Sequence, residues 1–150
     1  MEIMPQATYL FAGLLALLYV FLTVNVIRNR RRYRVAIGAS EEHPGLVRAV
    51  RAHGNFAENT PLFLILLCLA EIQTGSGWAC YLLGALFFAG RLAHAYSLLV
   101  AEPRGQAAGW PMGKVLRFRF YAMSHTFMPM AVLALILLWE WLSYLAGLVA

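Results

Sequence analysis

The stretch IMPQATYLFAGLLALLYVFLTVNVI (residues 3–27), running directly into RNRRRYR (residues 28–34), decides the fold class. Its first 25 residues carry no charge. About 20 apolar residues of helix cross a bilayer core about 30 Å thick, so the run is long enough to span. It is too long for the apolar region of a secretory signal, and Glu2 stands where such a signal is positively charged. The reading is a transmembrane helix from about Pro5 to Ile27 that continues into water as far as Tyr33 or Arg34.

Composition extends this reading along the chain. Of 150 residues, 61% are hydrophobic and 13% charged, with a net charge of +5. Soluble domains average about 25% charged residues. The length fits one compact domain. Cys68 and Cys80 lie in apolar runs without metal or redox spacing, so they read as small buried side chains and no metal is expected. Hydropathy predicts four helices, over about 5–34, 46–73, 78–100 and 114–145. The expected architecture is an all-α integral membrane protein, a four-transmembrane-helix up-down bundle. Helix 2 is expected to start near Gly45 or Leu46, because Pro44 blocks helix before it. Thr74-Gly75-Ser76-Gly77 reads as a tight turn, and Ala101 to Gly113, with two prolines and three glycines, reads as a loop.

Charge placement then orients the bundle. Five of the twelve Lys and Arg lie between Arg28 and Arg34; the others are Arg48, Arg51, Arg91, Arg104, Lys114, Arg117 and Arg119. An up-down path brings all of them to one side. The positive-inside rule makes that side cytoplasmic, with both termini and the 2–3 turn facing away. Basic groups at membrane level suit anionic lipid head groups and argue against nucleic acid.

Helix 2 carries the chemistry. Its charge-free stretch, Asn59 to Ala70, is only 12 residues. Counted with its polar first half the helix is long enough to span, so that half sits at or inside the membrane. Arg48, Arg51, Asn55 and Glu58, spaced three, four and three, fall on one stripe, with His53 off it. Charges at membrane depth face a bundle interior or a wet cavity and pair with one another, so a hydrogen-bonded ladder through Arg51, Asn55 and Glu58 is expected. Helix 3 adds Arg91 and His94, three apart, with Tyr96 pointing elsewhere; helix 4 adds Arg117 and Tyr121, four apart. Arg119 stands about 200° from Arg117 at 100° per residue. Ser124 and His125 read as packing or helix–helix hydrogen bonds. Pro61 removes one helix hydrogen bond, frees the Ala57 carbonyl and predicts a kink beyond the stripe. Several guanidinium groups with a carboxylate and an amide suit a small zwitterion with more than one carboxylate, and nearby positive charge favours a thiolate. The bilayer would deliver an apolar second substrate. The same stripe also suits a ladder that only ties helices together.

Arg51-Ala52-His53-Gly54-Asn55-Phe56-Ala57-Glu58-Asn59-Thr60-Pro61 resembles the helix 2 motif of the MAPEG family, the membrane-associated proteins in eicosanoid and glutathione metabolism. Gly90-Arg91-Leu92-Ala93-His94 is similar to its helix 3 motif, and residues 26–35 to its basic helix 1 exit. The resemblance covers almost the whole chain and is nearest to small bacterial inner-membrane members. It implies a homotrimer holding glutathione between neighbouring subunits near the cytoplasmic face. Arg51, Asn55 and Glu58 match its glutathione-binding residues, Arg30 or Arg31 a basic contact from helix 1, and His94 a contact in helix 3, with Arg91 and Arg119 expected in the same site. Arg117 and Tyr121 are similar to the arginine and tyrosine opening helix 4 of prostaglandin E synthase-like members, where the arginine is linked to thiolate activation. Leu98 departs from the tyrosine of several catalytic members, and Asn59 from that of leukotriene C synthase-like members. The implied function is a membrane-bound glutathione transferase or peroxidase acting on apolar electrophiles or lipid hydroperoxides. The alternative is a non-catalytic lipid-binding or structural membrane protein of the same fold.

Overall fold

A computed structural model describes residues 4–39 and 41–147. Glu2 and Ile3, at the start of the first apolar run, and Ser40 of the first loop lie outside the described residues. The order of elements is α1 (Gln6–Tyr33), α2 (Pro44–Thr74), α3 (Trp78–Tyr96), a π turn (Ser97–Ala101), α4 (Glu102–Ala107) and α5 (Met112–Leu145). Counting α3 through α4 as one rod, four helices are long and apolar enough to cross a membrane. The outward faces are apolar: Leu17, Phe120, Leu135 and Trp139 are exposed. Water would make such a surface aggregate, whereas lipid solvates it. The chain is an all-α integral membrane bundle.

α1 packs chiefly on α2, and α3 on α5. Phe63 of α2 stacks on Phe87 of α3 at 3.8 Å between ring centroids, and both are buried in the core with Leu15, Leu22, Leu67 and Leu133. In a membrane, close helix approach relies on small residues. A Cβ on Gly90 would lie 3.0 Å from the His125 backbone carbon and 3.1 Å from the Ala122 oxygen. Backbone cannot step aside as a side chain can. We expect Gly90→Val to push α3 from α5 and lower stability by about 1–3 kcal/mol, read as a lower melting temperature in detergent.

Two boundaries differ from the sequence reading. α2 starts at Pro44 itself, because proline in the first turn of a helix loses only an N–H that has no intrahelical partner. The expected loop from Ala101 to Gly113 is largely helical: the π turn and α4 carry the third rod on to Ala107. Pro103 is accepted because it falls in the first turn of α4. Gly105 is a packing glycine, since a Cβ there would sit 3.0 Å from Trp110 and Val115. Pro61 lies within an α2 that continues as helix to Thr74.

The end of the bundle away from the basic residues is tied by Glu71, a residue the sequence reading passed over. Its side chain is fully buried. The N–H groups of Ala7 and Thr8 donate to its two oxygens at 2.9 and 2.7 Å. The hydroxyls of Thr8 and Ser76 add bonds of 2.6 and 2.7 Å. No side chain of α1's own N-cap residue, Pro5, caps that helix. A carboxylate from α2 therefore satisfies its free N–H groups and faces the positive end of its dipole.

Candidate functional site

At the basic end, α2, α3 and α5 enclose a cavity of about 370 Å³. Val50, Arg51, Gly54, Asn55 and Glu58 of α2 line it, with His94 of α3, Leu98 of the π turn and Arg119 of α5. Helical spacing brings the α2 residues to one face, as the sequence indicated. Gly54 leaves open the space that a side chain would fill.

The expected ladder does not form: no hydrogen bond or ion pair joins Arg51 to Glu58 among the described residues, and both side chains are exposed. Asn55 is instead held from behind. Arg91, 2% exposed, donates from Nη1 to Asn55 Oδ1 at 2.6 Å. Its Nη2 donates to Thr126 Oγ1 and contacts Met123 Sδ at 3.7 Å. The guanidinium, arriving from another helix with rigid, directed donors, occupies the amide oxygen that Arg51 would otherwise address. Arg91 thus backs the cavity wall, while His94, also buried, lines it.

On α5 the cavity is lined by Arg119. The inward stripe of that helix is Val115, Arg119, Ala122, Thr126, Pro129 and Leu133, at spacings of four and three. Arg117 and Tyr121, which the resemblance marked for thiolate chemistry, are exposed on the outer side and are not among the cavity's lining residues. The physical reason is the 200° offset between Arg117 and Arg119. Arg119 Nε lies 3.4 Å from Glu102 Oε1, the one ion pair among the described residues. Glu102 is 7% exposed. The sequence reading missed it by assigning its segment to a loop; an acidic residue two places after a run of apolar helix was the available signal.

The remaining candidates lie elsewhere. Arg30 donates to the carbonyls of Ala36 and Gly38 at 3.0 and 3.1 Å, folding the 1–2 connection back on α1. Arg31 is exposed beside it. His53 packs against Tyr19 of α1, with ring centroids 4.9 Å apart, as its position off the stripe required. Ser124 and His125 bond back to the carbonyls of Phe120 and Tyr121 within α5, so neither links two helices.

Two arginines, a carboxylate, an amide and an imidazole around one cavity define a helical membrane protein with a polar cavity at one end of its bundle. The MAPEG family model matches residues 8–139, and the chain belongs to that family. It is 31% identical over 130 residues to the inner membrane protein YecN of Escherichia coli strain K12, covering 87% of this chain and 88% of the relative. The same figures hold for YecN of Escherichia coli O6:H1, strain CFT073.

Proposed function

We propose that the chain works as a homotrimer in a bacterial inner membrane, binds glutathione in the polar cavity and turns its thiolate on apolar electrophiles or lipid hydroperoxides. The observation that carries this reading is the cavity. Arg51, Arg119, Asn55, Glu58 and His94 converge on about 370 Å³ of open space at one end of a membrane bundle. Unpaired Arg51 offers a fork to a carboxylate, and unpaired Glu58 faces an ammonium. Arg119 is the guanidinium placed to favour a thiolate, since positive charge nearby stabilises the anion. Membership of the family and the likeness to an inner membrane protein support the membrane assignment. On this reading the basic loops face the cytoplasm and the termini face away.

The trimer has its own support. The lipid-facing side of α2 carries Leu62, Ile65, Leu69 and Ile72, all exposed, at spacings of three, four and three. That is a regular apolar seam along one face of α2, on which a second copy can pack by van der Waals contact. Arg51 and Glu58 continue the same seam at the basic end, so a partner copy against it would border the cavity.

The test is a thermal-shift titration of purified protein with glutathione and S-alkyl analogues. A ligand that binds only the folded state raises the melting temperature, by an amount corresponding to about 2.7 kcal/mol at a hundred times its dissociation constant. Thiolate absorbance and conjugation are then read on the same sample. No shift and no turnover, in detergent and in lipid, would end the reading in favour of a non-catalytic lipid-binding or structural protein.

A further inference from the structure

We propose that Glu102 is the internal counter-ion of the cavity, fixing how much negative charge a ligand can bring to Arg119; this rests on the reading of the cavity as a site for a glutathione-like zwitterion. The path of the chain makes the case. From His94 to Glu102 a regular helix turns 800°, which would leave Glu102 about 80° away from the cavity face. The π turn takes up one extra residue, about 100°, and returns Glu102 to within about 20° of His94. The bond that closes it runs from the Glu102 N–H to the Ser97 carbonyl. The distortion brings a carboxylate behind Arg119 in the bundle.

The geometry of the pair points to exchange, not to a permanent lock. Arg119 Nε and Glu102 Oε1 stand 3.4 Å apart, and Glu102 Oε1 has no hydrogen-bond partner among the described residues. Glu102 is almost wholly buried, whereas the Arg119 side chain retains 32% exposure and lines the cavity. One guanidinium therefore faces its counter-ion on one side and open space on the other. A second anion entering from the cavity meets an arginine whose charge is already partly offset. Glu102 thereby weakens binding of any ligand that adds negative charge there, and leaves neutral groups in the same position almost unaffected. Among the described residues Arg51 has no such partner, so discrimination is local to Arg119. Glu102 acts through Arg119 and is a positioning and specificity residue.

Two probes that share the tripeptide but differ in charge at sulfur read this out: glutathione sulfonate, which carries an added anion there, and S-methylglutathione, which is neutral there. Binding of both is measured by calorimetry on the full chain in detergent. Glu102→Gln should shift the affinity ratio at least tenfold toward the sulfonate. Glu102→Ala, which removes the same charge with fewer buried polar atoms, should do the same. Glu102→Asp should keep the wild-type ratio, and in an Arg119→Gln background Glu102→Gln should change the ratio less than threefold. An unchanged ratio in both charge-removing variants overturns the proposal, as does a full shift that persists without Arg119. If wild type binds neither peptide, the glutathione reading falls separately. Sulfate binding then decides the counter-ion role: Glu102→Gln should tighten it tenfold, and equal binding to both proteins overturns it.

Discussion

Glu71→Ala is expected to lower the melting temperature in detergent by roughly 10 °C, the largest stability loss of any single side chain outside the apolar core. The carboxylate is fully buried and accepts four hydrogen bonds, three of them from the first turn of α1. Its removal leaves the Ala7 and Thr8 N–H groups without acceptors, at about 1–3 kcal/mol for each buried orphan. It also strips the positive end of the α1 dipole of the anion that faces it. The sum is about 2–5 kcal/mol, and for a chain of this size each kcal/mol is worth about 2–4 °C. Glu71→Gln, which keeps one acceptor, should fall between alanine and wild type. A thiol-reactive dye gives the second readout. Cys80 is buried close to this network, in contact with the Gly75 carbonyl, and should label faster once α1 frays. Equal melting of Glu71→Ala and wild type would show that α1 is held by its apolar face alone.

What the sequence made legible follows from how local each signal is. Charge-free runs and short turns identify helices one at a time, and four of them appear where hydropathy puts them. The stripe Arg51, Asn55, Glu58 is a property of one helix, so its presence on the cavity wall was readable from spacing. Arg119 was expected in the site, and Val115, Ala122 and Thr126 mark the inward stripe it shares; the resemblance gave the thiolate role to Arg117 instead. Most of the missed features are contacts between distant residues. Glu71 finds its partners 63 and 64 residues earlier in the chain. Asn55 is claimed by Arg91, 36 residues later, and so the ladder within α2 is lost. Glu102 depends on a π turn, which has no compositional signature. Proline and glycine in its neighbourhood signalled a loop, yet Pro103 occupies a first helical turn and Gly105 a tight contact.

Arg91→Met should leave the protein as stable as wild type or more stable, while weakening glutathione binding at least tenfold, or about 1.4 kcal/mol. The two effects have one cause. Arg91 is 2% exposed, and among the described residues no carboxylate pairs with it. Its neighbours are the neutral Asn55 and Thr126, the Met123 sulfur and the face of Phe87, 5.6 Å from the guanidinium carbon. Its Nε has no hydrogen-bond partner. A buried charge held by neutral groups repays only part of its desolvation, and replacing such a group with a well-packed apolar one of similar length is often neutral or stabilising. Thr126 keeps its bond to the Ala122 carbonyl, at 3.0 Å, and Asn55 can turn to water in the cavity. Stability therefore gives no reason to keep the arginine. Binding does, because Arg91 holds the Asn55 amide on the cavity wall and adds positive potential behind it, where an incoming carboxylate benefits without displacing any partner. Arg91→Lys makes the complementary control. It keeps the charge but loses the fork that reaches Asn55 and Thr126 together, so it should fall below wild type in binding without gaining stability. A methionine variant that melts well below wild type and binds glutathione unchanged would make Arg91 a structural pin. A variant that holds its melting temperature and loses the ligand makes the buried cation part of the site.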